Sequence, residues 1–204
     1  MRDEAAIDYE SLLRHGLPTS ALDPASPQAK SMSTNSIRLR PYIGAEIEEL
    51  RKIERAAYRR YLSMESFAEI AAAPTTAPED FETGTTTVAE ADGRPVGYVI
   101  VQPLDDMLYI ASLVVHDNMS GKGVGGALVR WAEHQAAALE ASAICLATFR
   151  APSWNAPWYR KLGYVEIQQD KIGPELQTLL DRHSTFLDMT TRITMWKPAG
   201  VSPE

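Results

Sequence analysis

Cysteine is nearly absent from the sequence of 204 residues, which contains only Cys145. A single cysteine excludes an intramolecular disulfide and a zinc site built from several thiolates, and it fits a reducing compartment. Because Ile144 and Leu146 flank it, we expect Cys145 to be a buried apolar side chain. Histidine is also scarce, with four residues and no spacing typical of metal ligands, so we predict no metal site.

The sequence also has few basic residues and no long apolar run. It contains 20 Lys and Arg against 27 Asp and Glu, a net charge of -7, whereas nucleic acids and anionic membranes are bound through basic surfaces. No apolar run approaches the ~20 residues of a membrane span, and the charged N-terminus lacks the apolar stretch of a secretory signal. We therefore predict a soluble, cytoplasmic protein with neither nucleic acid nor membrane as a partner.

Composition divides the chain into three segments. Residues 16–36 carry three prolines and many Ser, Thr and Ala, which is typical of a flexible linker. We therefore predict a flexible N-terminal extension over residues 1–35 and a short tail over residues 199–204. Between them, regular apolar patterning predicts a single domain over residues 36–198.

The apolar periodicity of this domain predicts alternating strands and helices. Asp92 and Gly93 tolerate positive φ and predict a hairpin turn. Hairpins come first and a β-α-β crossover follows, which favours an α/β fold of the α+β type: a mixed, largely antiparallel sheet with helices on both faces. Strands are predicted over residues 37–40, 83–90, 94–101, 108–115, 143–149, 164–168 and 192–197, and helices over residues 45–60, 65–72, 125–141, 157–162 and 173–186.

The most informative segment lies between the strand over residues 108–115 and the helix that follows it. Residues 120–126 read Ser-Gly-Lys-Gly-Val-Gly-Gly, with four glycines. Glycines let the backbone turn tightly into a helix, whose first free N–H groups and dipole favour an anion. A phosphate or pyrophosphate is the expected ligand, and a glycine-rich turn that binds nothing is the alternative.

Two common phosphate-binding motifs fit this loop poorly. Gly121, Gly123 and Gly126 satisfy the Gly-x-Gly-x-x-Gly pattern of dinucleotide-binding folds. However, the loop follows hairpin-linked strands, and no acidic residue ends the next strand to hold a ribose. A Walker loop requires Ser or Thr after the lysine, whereas Gly123 follows Lys122. An oxidoreductase that binds NAD(P) and not coenzyme A is therefore the weaker alternative.

The loop and a second motif together resemble the GNAT family of N-acetyltransferases. Residues 113–115 (Leu-Val-Val) and 123–125 (Gly-Val-Gly) match the family's Leu-x-Val and Gly-x-Gly elements, with Ser120 where Arg or Gln is usual. Residues 155–164 resemble its Asn-x-x-aromatic-Tyr-x-x-x-Gly-aromatic element. The resemblance covers residues 37–197. It implies the GNAT fold and the transfer of an acetyl group from acetyl-CoA, the co-substrate, to an amine.

The resemblance also implies how acetyl-CoA is bound. The pantetheine arm would pair with the backbone of residues 113–115, in a strand that splays from its neighbour, and the glycine loop would hold the pyrophosphate. Asn155 would hydrogen bond the arm or cap the short helix that follows it. The implied cofactor-binding residues are Leu113, Val114, Val115, Ser120, Gly121, Lys122, Gly123, Val124, Gly125, Gly126 and Asn155.

Catalysis would require an acid and a base. Tyr159 is the implied acid, because a phenol near the sulfur can protonate the departing thiolate; a core tyrosine is the alternative. Many family members carry a glutamate base on the fourth strand, but residues 107–115 contain no carboxylate. Glu54 and His116 are the candidate bases. A water relayed by backbone groups, or an acceptor that arrives neutral, would need neither.

The acceptor is expected to be a primary amine of a small molecule or of a protein. The acidic balance slightly favours a cationic acceptor, and Tyr58 and Tyr61 are candidates to line its pocket. The helix predicted over residues 173–186 interrupts a hairpin that is direct in the simplest family layout, and we expect it to cover part of this pocket. The missing strand carboxylate and Ser120 also fit a non-catalytic acyl-CoA-binding module, which would bind acetyl-CoA without turnover.

Overall fold

The structure is a computed structural model that describes residues 37–185 and 187–200. The extension predicted over residues 1–35 and the last four residues of the predicted tail lie outside the described residues. No helix in the described ranges is long and apolar enough to cross a membrane.

Seven strands in this part of the chain form one sheet, in the order β1-β2-β3-β4-β5-β7-β6. Neighbouring strands are antiparallel except β4 and β5, which are parallel. The predicted mixed, largely antiparallel sheet is therefore confirmed. The strands are β1 (Arg38–Pro41), β2 (Thr85–Ala91), β3 (Arg94–Leu104), β4 (Met107–Val115), β5 (Ala143–Phe149), β6 (Val165–Glu166) and β7 (Arg192–Pro198).

The helices follow the predicted order with one addition. The short helix predicted over residues 65–72 is a 3-10 helix (Glu65–Ala72). A single turn after Pro78 was not predicted, since four residues are too few to produce a helical period. The α-helices are α1 (Ile47–Tyr58), α2 (Asp80–Thr83), α3 (Val124–Ala138), α4 (Ala156–Lys161) and α5 (Pro174–Ser184).

Strand alternation distributes the core over both faces of the sheet. On one face, Leu128 of α3 belongs to a cluster with Val99 and the other inward residues of that side. On the opposite face, Leu50 of α1 packs with Tyr98, and α5 packs its apolar residues against the first half of β4 and β5. Helices therefore cover both faces, as predicted. Cys145 is buried under α5, as its apolar neighbours predicted.

The parallel strands β4 and β5 separate toward their carboxyl ends. Their pairing stops at Ile110 and Leu146. Next to this point, Ala111 is a β-bulge, because Ile100 pairs with Ser112 while Val101 pairs with Ile110. A bulge bends its strand and increases the local twist. Beyond it, β4 pairs only with β3, and β5 pairs only with β7. A gap therefore opens in the middle of the sheet.

Candidate active site

The glycine loop joins β4 to α3 and leaves open space at the start of the helix. Gly121 and Gly123 adopt φ of +75° and +85°, a region that side chains other than glycine rarely adopt. A Cβ added at either position would meet nothing within 4 Å. No side chain caps α3 at Gly123, and the first N–H groups of a helix have no intrahelical acceptor. These donors can therefore bind an anion in the space beside the loop.

The next glycine has a packing role. A Cβ at Gly125 would lie 3.3 Å from the indole ring of Trp158 on α4. Glycine at this position therefore lets α4 approach the N-terminal turn of α3. The two helices meet beside the open end of the gap between β4 and β5.

One cavity of about 550 Å³ connects the glycine loop, the end of β4, α4 and the segment after α1. Ten of the residues predicted to bind acetyl-CoA line it, and Lys122 does not. The amine of Lys122 instead lies 3.8 Å from the sulfur of Met119. Tyr159 lines the same cavity, together with Tyr58 and Tyr61. The structure therefore brings both sequence motifs to one site.

Tyr159 is both a core residue and a lining residue. It lies on α4, is 6% exposed and packs edge-on against Trp158 and Tyr164. Burial raises the pKa of the Tyr159 phenol above its ordinary value. The phenol is therefore protonated at neutral pH, which is the state that a general acid requires.

Asn155 links α4 to both sides of the cavity. Its amide nitrogen donates to the Thr148 hydroxyl at 2.8 Å, and its amide oxygen accepts from the Tyr61 hydroxyl at 3.0 Å. Its side chain makes no capping hydrogen bond to α4. The alternative of a side-chain cap is therefore wrong for this residue.

The Glu54 carboxylate is buried directly behind the cavity wall. It is 2% exposed and accepts hydrogen bonds from the hydroxyls of Tyr58 (2.6 Å) and Tyr98 (2.9 Å) and from the Thr76 backbone N–H (2.8 Å). Glu54 does not line the cavity, whereas Tyr58 does. Burial, followed by the Glu54 charge, raises the pKa of Tyr58. The Tyr58 hydroxyl thus lies between the Glu54 carboxylate and the cavity.

His116 lies farther from the chemistry. It follows β4, and its Nδ1 is 2.8 Å from the carboxylate of Asp117, which also pairs with Arg59 at 2.9 Å. His116 does not line the cavity. The two candidate bases therefore differ in position: Glu54 reaches the site through a cavity-lining hydroxyl, and His116 stays in a surface charge cluster.

Aromatic side chains form the wall of the cavity on the α1 side. The ring centroid of Tyr61 lies 5.7 Å from that of Phe149 and 5.6 Å from that of Trp154. The Arg192 guanidinium lies 4.5 Å from the Phe149 ring. Phe149 and Arg192 do not line the cavity themselves but lie behind Tyr61. Sequence analysis did not single them out, because they meet through the pairing of β5 with β7. No motif near either residue carries a signal for that contact.

The described parts of the chain contain no group of three or more His, Cys, Asp or Glu residues that could hold a metal ion. The groups that surround the cavity are hydroxyl, amide, carboxylate and backbone groups. They include the free N–H donors at the start of α3, the buried phenol of Tyr159 and the buried carboxylate of Glu54 behind the phenol of Tyr58.

Known proteins match both the sequence and the fold. Residues 82–166 match the family model of the acetyltransferase (GNAT) domain. The ribosomal-protein-S18-alanine N-acetyltransferase of Escherichia coli is 13% identical, with a TM-score of 0.58 over 83% of this chain and 97% of that chain. The PaiA N-acetyltransferase of Thermoplasma acidophilum, solved in complex with coenzyme A, is 16% identical, with a TM-score of 0.60 over 80% and 99%. A GNAT protein of Rhodopseudomonas palustris is 23% identical, with a TM-score of 0.56 over 84% and 99%.

These structural likenesses establish the fold, and the family model adds the domain type. The matched residues include the whole glycine loop and the second motif over residues 155–164. The sheet order, the gap between β4 and β5 and the helices on both faces agree with that assignment. Residues 82–166 therefore match the acetyltransferase (GNAT) domain, the domain type that the two motifs predicted.

Proposed function

We propose that the protein is an acetyl-CoA-dependent N-acetyltransferase that transfers the acetyl group to a primary amine. The observation that carries the proposal is a single cavity that joins the open glycine loop to the gap between β4 and β5. The lone buried thiol and the absence of a membrane-spanning helix from the described residues are compatible with the cytoplasmic location that we propose.

Acetyl-CoA would bind through backbone groups for most of its length. The N–H groups at the start of α3 are the proposed donors to the pyrophosphate, and the helix dipole favours the same charge. The unpaired side of β4 over residues 113–115 would accept the pantetheine arm as a strand. Ser120 supplies no positive charge, so binding at the loop would depend on these backbone donors.

The proposed chemistry is a direct attack of the amine on the thioester carbon. The carbon–nitrogen bond forms, the carbon–sulfur bond breaks, and coenzyme A leaves as a thiolate. Tyr159 is the proposed acid that gives its proton to the sulfur. Its raised pKa supports this role, because the proton stays on the phenol until the thiolate appears.

Glu54 is the proposed base, acting through Tyr58. The Tyr58 hydroxyl already donates to Glu54 at 2.6 Å, which leaves oxygen lone pairs that can accept a proton from the amine. When that proton arrives, the hydroxyl passes its own proton to Glu54 and stays neutral. The net result moves one proton from the amine to the buried carboxylate without charging Tyr58.

Calorimetric titration with acetyl-CoA, and separately with NADH, tests the proposed cofactor. We expect saturable binding of acetyl-CoA and its loss in Gly123→Trp, since this side chain would occupy the open space beside a glycine with φ of +85°. Gly93→Trp is the matched control, because Gly93 also has positive φ and open space but lies in the turn between β2 and β3.

Two results of this titration, and one result of a transfer assay, would count against the assignment. Binding of NADH in place of acetyl-CoA would favour the oxidoreductase alternative. Equal loss in Gly93→Trp would assign the effect to general destabilisation instead of the loop. Binding of acetyl-CoA without transfer to any amine would favour the acyl-CoA-binding module.

A further inference from the structure

Arg192, the first residue of β7, holds a largely buried guanidinium that has no acidic partner. Its Nη2 donates to the Ala147 carbonyl oxygen at 3.2 Å, and its Nε is buried without a hydrogen-bond partner among the described residues. None of the ion pairs formed in residues 37–185 and 187–200 includes it. The hydrogen-bonding capacity of this cation is therefore largely unused.

The side chains around Arg192 do not neutralise its charge. Its guanidinium contacts the Phe149 ring and interacts electrostatically with Tyr58, Tyr61 and Tyr109. Burial raises the pKa of Tyr109 to about 12 and also raises those of Tyr58 and Tyr61. All three phenols are therefore neutral at physiological pH.

A buried cation without an anion is costly for a folded protein. Burial lowers the pKa of Arg192, but arginine stays charged in proteins at neutral pH. Replacing it with an apolar residue would remove this cost, so stability alone does not account for an unpaired cation at this position. An anion that arrives with a ligand would supply the missing partner.

Arg192 also lies on the side of the sheet that is opposite the helix α3. Its neighbour Ile193 packs in the core under α3, so strand alternation directs Arg192 to the α1 side. It pairs with Phe149 and bonds to Ala147, two residues of β5 beyond the last pair with β4. The guanidinium therefore lies beside the gap and behind the cavity lining, on the face where Tyr58 and Tyr61 line the cavity.

We propose that Arg192 binds a carboxylate of the acceptor, so that the substrate is a small amine that also carries a carboxylate, as an amino acid does. This inference rests on the proposed acetyl transfer and specifies its acceptor. The planar guanidinium matches a carboxylate through paired, charge-assisted hydrogen bonds. Anchored there, the substrate would present its amine to the gap between β4 and β5, on the side opposite the glycine loop.

Paired acceptors test this assignment directly. Release of coenzyme A is measured with amino acids and with their carboxamides, which keep the amine and remove the negative charge. We expect the wild-type protein to have the higher kcat/KM with the carboxylates. Arg192→Gln is expected to raise KM for the carboxylates by about 10- to 100-fold, because a hydrogen bond to a charged group is lost. The KM for the carboxamides is expected to change little.

Three controls keep the outcome interpretable. Arg192→Lys retains the charge and is expected to restore part of the preference. Arg38→Gln removes one charge from the far strand β1, where the side chain is 72% exposed, and is expected to leave the preference intact. The affinity for acetyl-CoA is expected to be equal in all variants, which excludes a folding defect.

The measured outcomes distinguish a failure of the carboxylate site from a failure of the proposed acetyl transfer. Equal use of carboxylates and carboxamides by the wild-type protein, or equal loss of both in Arg192→Gln with acetyl-CoA affinity retained, would overturn the carboxylate site and leave the transferase intact. No release of coenzyme A with any amine would overturn the proposed transfer and this inference with it.

Discussion

At the scale of single residues, Tyr159 carries the most direct prediction. Tyr159→Phe removes the proposed acid but keeps the ring that packs against Trp158 and Tyr164. We expect kcat to fall by about 10²- to 10⁴-fold, the usual contribution of general acid catalysis, with the affinity for acetyl-CoA unchanged. Steady-state kinetics and calorimetric titration measure the two quantities.

Tyr164→Phe is the matched control for that variant. The Tyr164 hydroxyl is buried in the same cluster, lies outside the cavity lining and makes no hydrogen bond of normal geometry in the described part of the chain. Removing it is expected to leave kcat unchanged and to leave the free energy of unfolding unchanged or slightly higher, because an unsatisfied buried hydroxyl is costly. Equal loss of activity in both variants would contradict the specific role of Tyr159.

The proposed proton relay makes a prediction about pH. Glu54→Gln and Tyr58→Phe are expected to lower kcat/KM at neutral pH, where most of the amine is protonated and needs a base. The reduction in kcat/KM relative to the wild-type protein should become smaller as pH rises toward the pKa of the amine, because the neutral amine then attacks without a base. The measurement is kcat/KM against pH for both variants.

His116→Gln provides the comparison for the second candidate base. Its imidazole contacts Asp117 outside the cavity, so we expect a wild-type pH profile. A profile altered in His116→Gln and unchanged in Glu54→Gln would assign the base to His116. Unchanged profiles in both variants would favour a water relay or an acceptor that binds in its neutral form.

Sequence reasoning predicted one part of the proposed site and did not single out another part, for a physical reason. The glycine loop, Asn155 and Tyr159 lie in short motifs, where local chemistry and spacing carry the signal. Arg192 and Phe149 face each other through the pairing of β5 and β7, which depends on the register of two strands far apart in the chain. The missing partner of Arg192 is visible only when all its neighbours are known.

At the scale of secondary-structure elements, the N-terminus of helix α5 is capped by the side chain of Asp105, from the turn after β3. The carboxylate of Asp105 accepts from the backbone N–H groups of Glu175 and Leu176, each at 3.0 Å. Asp105→Ala is expected to cost about 0.5–2 kcal/mol, as for the loss of an N-terminal cap, whereas Asp105→Asn is expected to cost less. Denaturant unfolding measures both values.

Asp105→Ala also tests the expectation that α5 covers part of the acceptor pocket. The helix packs on the face that α1 also covers. Loosening it should increase hydrogen exchange in Pro174–Ser184 and widen the range of accepted amines, with the affinity for acetyl-CoA unchanged. Faster exchange with an unchanged acceptor range would contradict a role of α5 in selectivity.

The elements that sequence patterns missed are those where local signals conflict with the fold. Strand β3 continues to Leu104, beyond the predicted end at residue 101, although Pro103 cannot donate a ladder hydrogen bond. It continues because Pro103 still pairs with Leu108 of β4, next to a turn at which Asp105 has φ of +53°. The bulge at Ala111, which starts the gap, has no signature in its own residue type.

At the scale of the whole molecule, the sheet separates the two proposed binding sides, and the gap between β4 and β5 connects them. The glycine loop belongs to the side that α3 covers, and Tyr58, Tyr61 and Arg192 belong to the side that α1 covers. Acetyl-CoA and the amine would therefore approach from opposite faces and meet between β4 and β5. The net charge of -7 would attract an ammonium group at long range, while Arg192 would select the carboxylate at contact.

The measurement that tests this account most directly is acetyl transfer itself. The purified protein is incubated with acetyl-CoA and a panel of amines that includes amino acids, and both released coenzyme A and N-acetylated product are quantified. The account predicts one acetylated amine for each coenzyme A released, with loss of both in Tyr159→Phe. Binding of acetyl-CoA without product from any amine would contradict it and would leave a protein that binds acyl-CoA without transferring the acyl group.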